Sequence, residues 1–258
     1  MASVGSSRGK AQAPLLSFAS VGKRRREGER ESTVLEDVSF ELRPGSALGI
    51  YGQRRSGKST LLRLAVGLEL AQEGSVLFEG RALAGMSSGE RARLLRGPIA
   101  FLSGDGWLPS PGETVMDHVA MSAGSAGLSL REARRRALAA LDRAGVAGVS
   151  AEEMTVSLAP DTRARVMLAR ALVREPLMLA VDEPAPLPAL LERERYCALL
   201  REVARERSIA LLMASEELSA LQGIASLASL SAGELCSTQV QGTVVEFPRR
   251  RAAAIEAP

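Results

Sequence analysis

Alternating apolar and polar residues predict β-strands in the first third of the chain. Residues 15–21 and 34–42 alternate in this way, and the second stretch, VLEDVSFEL, leads into a Pro44–Gly45 turn. The apolar run over 47–51 predicts a buried strand directly before a glycine-rich loop. The segments GSVLFEG (74–80) and GPIAFLS predict two further short strands.

Apolar residues take up helical spacing over 58–68 and again over 112–146 and 187–207. The apolar stretches LMLAVDEP and SIALLMAS predict two more strands, and a further helix is predicted from Glu216. Because strands alternate with helices along the chain, we expect an α/β protein with a largely parallel sheet.

One domain is predicted over residues 13–245. The helical block that interrupts the sheet strands predicts an inserted helical subdomain at about 104–175. The segments 1–12 and 246–258 are predicted to be flexible tails.

The composition describes a globular protein large enough to bury a sizeable core. The chain has 258 residues, of which 46% are hydrophobic. No apolar run approaches the roughly 18 residues that span a bilayer, so we expect no transmembrane segment. Cys197 and Cys236 lie far apart with no metal-binding spacing, which is consistent with a reducing cytoplasm.

Basic residues are clustered although the net charge is only +3. The clusters lie at 23–26, 131–136 and 249–251. Such runs are usually solvated faces, and the alternative is attraction to an anionic membrane surface or to nucleic acid. No aromatic residues are interleaved with them, so nucleic acid is not an expected partner.

The loop after the third strand, GQRRSGKS, satisfies the pattern G-x-x-x-x-G-K-[ST]. Its glycines let backbone N–H groups converge on phosphate oxygens, and the following helix directs its positive end to the same point. Lys58 would reach the terminal phosphates, and the Ser59 hydroxyl would bind Mg²⁺. The alternative is a fortuitous turn. The predicted nucleotide-binding residues in this loop are Gly52, Gln53, Arg54, Arg55, Ser56, Gly57, Lys58, Ser59 and Thr60.

Two carboxylates follow the apolar strand LMLAV about 120 residues downstream. Asp182 is predicted to bind the nucleotide's Mg²⁺ through water, and Glu183 is the predicted general base that orients the attacking water. The alternative is an ordinary strand-end turn, DEP, but the glycine loop upstream favours the metal-binding and catalytic interpretation.

These segments resemble the ATP-binding subunit of ABC transporters over roughly residues 14–245. The stretches VLEDVSFELRPGSALGIYG and RARVMLARALVREPLMLAVDEP carry the resemblance. It implies a P-loop NTPase fold with a mainly parallel core sheet, an antiparallel β subdomain and an inserted helical subdomain. It also implies binding of ATP and Mg²⁺, and a head-to-tail dimer with a second such subunit, identical or different. A membrane-spanning transporter subunit and a place on the inner face of the cell membrane would complete the assembly.

Several motifs of that family are altered here. The signature LSGGQ is replaced by Leu158-Ala159-Pro160-Asp161-Thr162, in which Ala159 lacks a hydroxyl and Pro160 lacks an N–H. Asp161 is anionic and is expected to cap the following helix instead. Ser215 occupies the place of the switch histidine.

The only histidine, His118, is expected at the surface or an interface rather than in catalysis. Ser103 and Ala189 replace the Q-loop glutamine and the D-loop aspartate. Arg25 lies near the missing adenine-stacking aromatic, and Trp107 is expected either to anchor a partner or to pack in the core.

Arg55 occupies a usual glycine position in the loop, where it could strain the turn or add charge to a bound phosphate.

From the intact glycine loop and the altered motifs together, the predicted function is an ATP-binding transporter subunit that hydrolyses ATP slowly alone or pairs with a better-preserved partner. The alternative is a non-hydrolysing, nucleotide-dependent scaffold or regulatory subunit. An ATPase acting on DNA would be expected to carry a longer coiled-coil insertion.

Overall fold

Two β-sheets and six α-helices make up the described part of the chain. The computed structural model describes residues 13–28, 30–103, 110–124, 128–146, 151–184, 187 and 189–238. The predicted tails and Trp107 lie outside the described residues. The strands are β1 Leu16–Glu27, β2 Arg30–Leu42, β3 Ala47–Tyr51, β4 Glu73–Phe78, β5 Arg81–Ala82, β6 Ile99–Ser103, β7 Met178–Asp182, β8 Ala210–Ser215, β9 Ser226–Ser231 and β10 Glu234–Thr238.

The antiparallel sheet has the order β2-β1-β4-β5. Its longest pair, β1 and β2, runs from Leu16 opposite Leu42 to Glu27 opposite Arg30, with register shifts between Phe18 and Arg24. The first strand is therefore longer than the alternating pattern predicted, and the basic run at 23–26 lies within it. Phe18 and Phe40 stack with ring centroids 4.5 Å apart, which anchors the apolar end of this ribbon.

The second sheet has the order β10-β9-β3-β8-β7-β6, and all its described neighbours are parallel except β9 and β10. The α/β class with a mainly parallel core sheet is thus confirmed. All six residues of β8 are buried, as expected of a central strand covered on both faces. The carboxyl ends of β3, β7 and β8 share one edge, which brings their following loops together.

The helices are α1 Lys58–Ala65, α2 Ser88–Arg96, α3 Val115–Gly124, α4 Leu130–Arg143, α5 Pro160–Leu172 and α6 Leu190–Glu206. The predicted helical stretch 112–146 is divided into α3 and α4, which pack against each other and against α5. Together these three helices form a unit between β6 and β7.

Two expectations about local structure were wrong. The chain after β8 forms only a 3₁₀ turn, Leu218–Leu221, because it must reach the start of β9 within a few residues. Ala159 is the N-cap of α5 and Pro160 the first helical residue, so Asp161 falls inside the first turn and does not cap. Its charge can still interact favourably with the helix dipole there.

His118 is buried, with 4% of its surface exposed, and so is neither a surface residue nor part of the nucleotide loop. It lies three residues after Val115 on α3, a helix that packs against α4 and α5. Its Nδ1 is 3.1 Å from Glu113 Oε1. Burial lowers the pKa of His118, while the contact with Glu113 opposes that shift.

Candidate functional site

The glycine loop links the central strand β3 to α1 at the carboxyl edge of the core sheet. Gly57 has φ 105°, and a Cβ there would lie 2.7 Å from Val34 O. A Cβ on Gly52 would lie 2.5 Å from Ser56 Oγ and 2.6 Å from Leu230 O. Both positions therefore require glycine, one for its backbone angle and both for the close approach of neighbouring atoms.

Lys58 is buried at the start of α1, with 6% of its side chain exposed. Its Nζ donates hydrogen bonds to Gly52 O at 2.8 Å and to Gln53 O at 3.0 Å. Glu183 Oε1 lies 3.4 Å from the same ammonium. The loop thus wraps around a buried positive charge, which suits it to an anionic ligand.

Ser59 and Asp182 are brought together although 123 positions separate them. The Ser59 hydroxyl donates to Asp182 Oδ1 at 3.1 Å, because α1 packs against the end of β7. A hydroxyl and a carboxylate are hard oxygen ligands that suit Mg²⁺, which is usually held by one or two such groups together with substrate phosphates. Among the described residues, no group of three or more His, Cys, Asp or Glu side chains gathers into a metal site.

Glu183 follows β7 with an unusual backbone, at φ 54°. The Ser215 hydroxyl donates to its Oε2 at 2.8 Å, and the Glu216 N–H lies 2.9 Å from Oε1 and 3.1 Å from Oε2. Burial raises the pKa of the Glu183 carboxyl, while the Ser215 hydrogen bond and the Lys58 charge act in the opposite direction. The carboxylate therefore lies beside Lys58 in a partly desolvated position suited to a base.

The remaining loop residues differ in exposure. Gln53, Arg54 and Arg55 are exposed, whereas Thr60 is buried. Arg54 Nε lies 3.8 Å from Glu216 Oε2, and Arg55 has the left-handed backbone angle φ 63°. The strain considered for Arg55 therefore corresponds to an actual conformational outlier.

Ser56 Oγ is buried and has no hydrogen-bond partner among the described residues. A hydroxyl in this position inside the loop remains available to a ligand.

Among the altered family positions, the strand register places Ser103 at this edge. Ser103 ends β6 directly opposite Asp182 in the strand register. Ala189 is the N-cap of α6, and neither it nor Ala159 caps its helix with a side chain. Arg25 is in β1 of the other sheet, opposite Ser32.

Sequence reasoning missed the contacts of Ser215 and Glu216 with Glu183. At the level of the sequence, Ser215 is only the residue that replaces the family's switch histidine. The available signal was that two apolar strands, LMLAV and ALLMA, are each followed by polar residues. Adjacent parallel strands place such residues at one sheet edge, and β7 and β8 are indeed neighbours, with Asp182 opposite Ala214.

Known proteins resemble this chain in sequence. The ABC transporter family model matches residues 35–186. The lipoprotein-releasing system ATP-binding protein LolD of Pseudomonas syringae pv. tomato is 31% identical over 221 residues, covering 86% of this chain and 96% of that protein. The methionine import ATP-binding protein MetN of Rhizobium etli is 33% identical over 203 residues, covering 78% of this chain and 55% of that protein.

Solved structures share the fold. The dimeric structure of MJ0796, a bacterial ABC transporter cassette, has a TM-score of 0.77 and 23% identity, covering 86% of this chain and 96% of that one. The structure of cbiO1 from Clostridium perfringens has a TM-score of 0.74 and 22% identity, covering 86% of each chain. None of the helices in the described part of the chain combines the length and apolar character needed to cross a membrane. The family model spans more than half of the sequence and the LolD match nearly all of it, so this chain belongs to the ABC transporter family, among its ATP-binding subunits.

Proposed function

We propose that this chain binds MgATP and couples its binding or slow hydrolysis to a membrane-spanning transporter subunit. Lys58 and the backbone of the loop would bind the phosphates, with Ser59 and Asp182 holding the metal and Glu183 serving as the base. The loop residues that take part are Gly52, Gln53, Arg54, Arg55, Ser56, Gly57 and Thr60.

The placement of Lys58 is the observation that carries this proposal. This buried ammonium is held by two loop carbonyls and forms an ion pair with the Glu183 carboxylate at 3.4 Å. Phosphate oxygens would supply stronger, charge-assisted partners at the same place. The Ser59–Asp182 contact lies beside it and provides the donor set that a phosphate-bound Mg²⁺ needs.

Slow hydrolysis is proposed because the segment that would face an opposing nucleotide has lost its donors. Ala159 offers no hydroxyl, Pro160 offers no N–H, and Asp161 adds a negative charge. A carboxylate charge such as that of Asp161, at about 4 Å from a phosphate charge, would weaken nucleotide binding by roughly 1–4 kcal/mol, depending on the local dielectric. We therefore propose pairing with a second ATP-binding subunit whose signature segment is better preserved.

The membrane partner and the location are inferred from the relatives. LolD is named for lipoprotein release and MetN for methionine import, so the shared element is an ATP-binding subunit and not a cargo. We place this chain at the inner face of the cell membrane, bound to a membrane-spanning subunit that recognises the cargo.

Lys58→Ala tests the proposal directly. Loss of a hydrogen bond to a charged group costs about 1.5–3 kcal/mol, so MgATP affinity should fall about 10- to 150-fold. Calorimetric titration with a non-hydrolysable ATP analogue and Mg²⁺ measures this. Arg207→Ala is the matched control, because Arg207 follows α6 at the opposite end of the sheet, where its guanidinium lies 3.8 Å from Glu175. Wild-type affinity is expected for this control.

Two results would contradict the proposal. One is the absence of Mg²⁺-dependent nucleotide uptake by the wild-type chain. The other is equal affinity of the wild type and Lys58→Ala.

A further inference from the structure

The hydroxyl of Ser215 has a single fixed direction. Ser215 ends β8 and is almost fully buried, with 1% of its surface exposed. Its Oγ accepts the N–H of Glu217 at 3.0 Å and donates to Glu183 Oε2 at 2.8 Å. Because a carboxylate only accepts hydrogen bonds, the hydroxyl proton points to it, while the Glu217 N–H occupies a lone pair of the same oxygen.

The end of β8 holds Glu183 at several further points. The Glu216 N–H reaches both carboxylate oxygens, and the Glu183 N–H donates to Ala214 O at 3.0 Å. Main chain and side chain of Glu183 are thus both bound to the neighbouring strand. This explains how the residue keeps a left-handed backbone angle that an isolated glutamate avoids.

Lys58 approaches the carboxylate from the other side, with its Nζ 3.4 Å from Oε1. The Ser215 hydroxyl and the Glu216 N–H, two neutral donors at the end of β8, therefore compete with an ammonium for the same carboxylate. Glu183 and Lys58 already form an ion pair at this distance, and without the Ser215 hydroxyl the carboxylate would be free to turn further and form a tighter pair. Such a pair would occupy the base and leave Lys58 less available to phosphate.

We propose that Ser215 is a positioning residue for ATP hydrolysis, which holds the Glu183 carboxylate in one orientation at the end of β8. The inference rests on the proposed function, since it assigns Glu183 the role of base. Ser215 does not contact the reacting atoms in this account. It acts through Glu183, with the Glu216 N–H as its backbone counterpart.

The kinetic test compares Ser215→Ala with Ser215→Thr in the full-length chain. Phosphate release from labelled ATP under single-turnover conditions detects slow hydrolysis, and steady-state rates give kcat and KM. Ser215→Ala should lower kcat about tenfold or more, the loss expected for a hydrogen bond to a charged group, with KM changed less than threefold. Ser215→Thr keeps the hydroxyl and should retain most of the rate. Ser231→Ala, at the exposed end of β9, is the matched serine control and should match the wild type.

A second measurement does not depend on activity. In nucleotide-free protein, the effects of Ser215→Ala and Glu183→Ala on the unfolding midpoint should be non-additive, because each removes the same contact. Additive effects would overturn the proposal, and so would an unchanged kcat in Ser215→Ala. Equal losses of rate in Ser215→Ala and Ser215→Thr would also overturn it, since they would indicate a packing role.

The two proposals fail in different ways. A wild-type chain that binds MgATP but releases no phosphate would overturn the role of Ser215 while leaving nucleotide binding intact. A chain that does not bind MgATP would instead refute the proposed function.

Discussion

Arg55 offers a measurable test of strain in the glycine loop. Its backbone is left-handed at φ 63°, where a residue with a Cβ costs roughly 1–2 kcal/mol. Glycine avoids that cost, but it lowers the free energy of unfolding by roughly 0.4–1 kcal/mol because it gives the unfolded chain more conformational freedom. Arg55→Gly and Arg55→Ala remove the same exposed side chain, so their difference isolates the backbone. The Gly variant should have the higher free energy of unfolding, by about 1 kcal/mol.

Scanning calorimetry without nucleotide is the appropriate assay. A difference of about 1 kcal/mol corresponds to a shift in Tm of roughly 2–4 °C for a chain of this size. Arg54 is the matched control, since it is the neighbouring exposed arginine and does not have a positive φ. There the order should reverse, with Arg54→Gly less stable than Arg54→Ala.

The reasoning would be refuted if Arg55→Gly were no more stable than Arg55→Ala. The same pair of variants separates the two roles considered for Arg55. If the guanidinium adds charge to a bound phosphate, both variants should lose MgATP affinity equally. If only the loop geometry matters, the Gly variant should bind at least as well as the wild type.

Two further outcomes concern a buried histidine and a glycine. Because burial lowers the pKa of His118, the unfolded chain takes up a proton first as the pH falls below about 6.5. The free energy of unfolding should therefore decrease as the pH falls from neutral. A pH series of urea titrations should show a shallower decrease for His118→Asn than for the wild type. Equal decreases in the two proteins would contradict this. Gly52→Ala would place a Cβ 2.5 Å from Ser56 Oγ and 2.6 Å from Leu230 O. Calorimetry should therefore show a tenfold or greater loss of MgATP affinity. Retained affinity would contradict this and show that the loop can shift.

Local pattern was sufficient for the strongly periodic elements. The run KSTLLRLAVGL predicted a helix from its apolar spacing and LMLAVDEP a strand from its apolar run, and the structure has α1 and β7 there, with α1 ending at Ala65. The family followed from the order of such segments. Element ends were less predictable, since β1 continues through a basic run because β2 pairs with it. The burial of His118 depended on two helices packed around α3, which no local pattern encodes.

The sequence by itself determined that a loop of the pattern G-x-x-x-x-G-K-[ST] and an Asp-Glu pair exist, because each depends on neighbouring residue types. Only the tertiary structure decided that Ser59 contacts Asp182 and that Ser215 holds Glu183, across 123 and 32 positions. The physical reason is that strand order in a parallel sheet is set by burial and crossover packing across the whole domain. Which residues share the carboxyl edge is therefore known only once the strands are arranged.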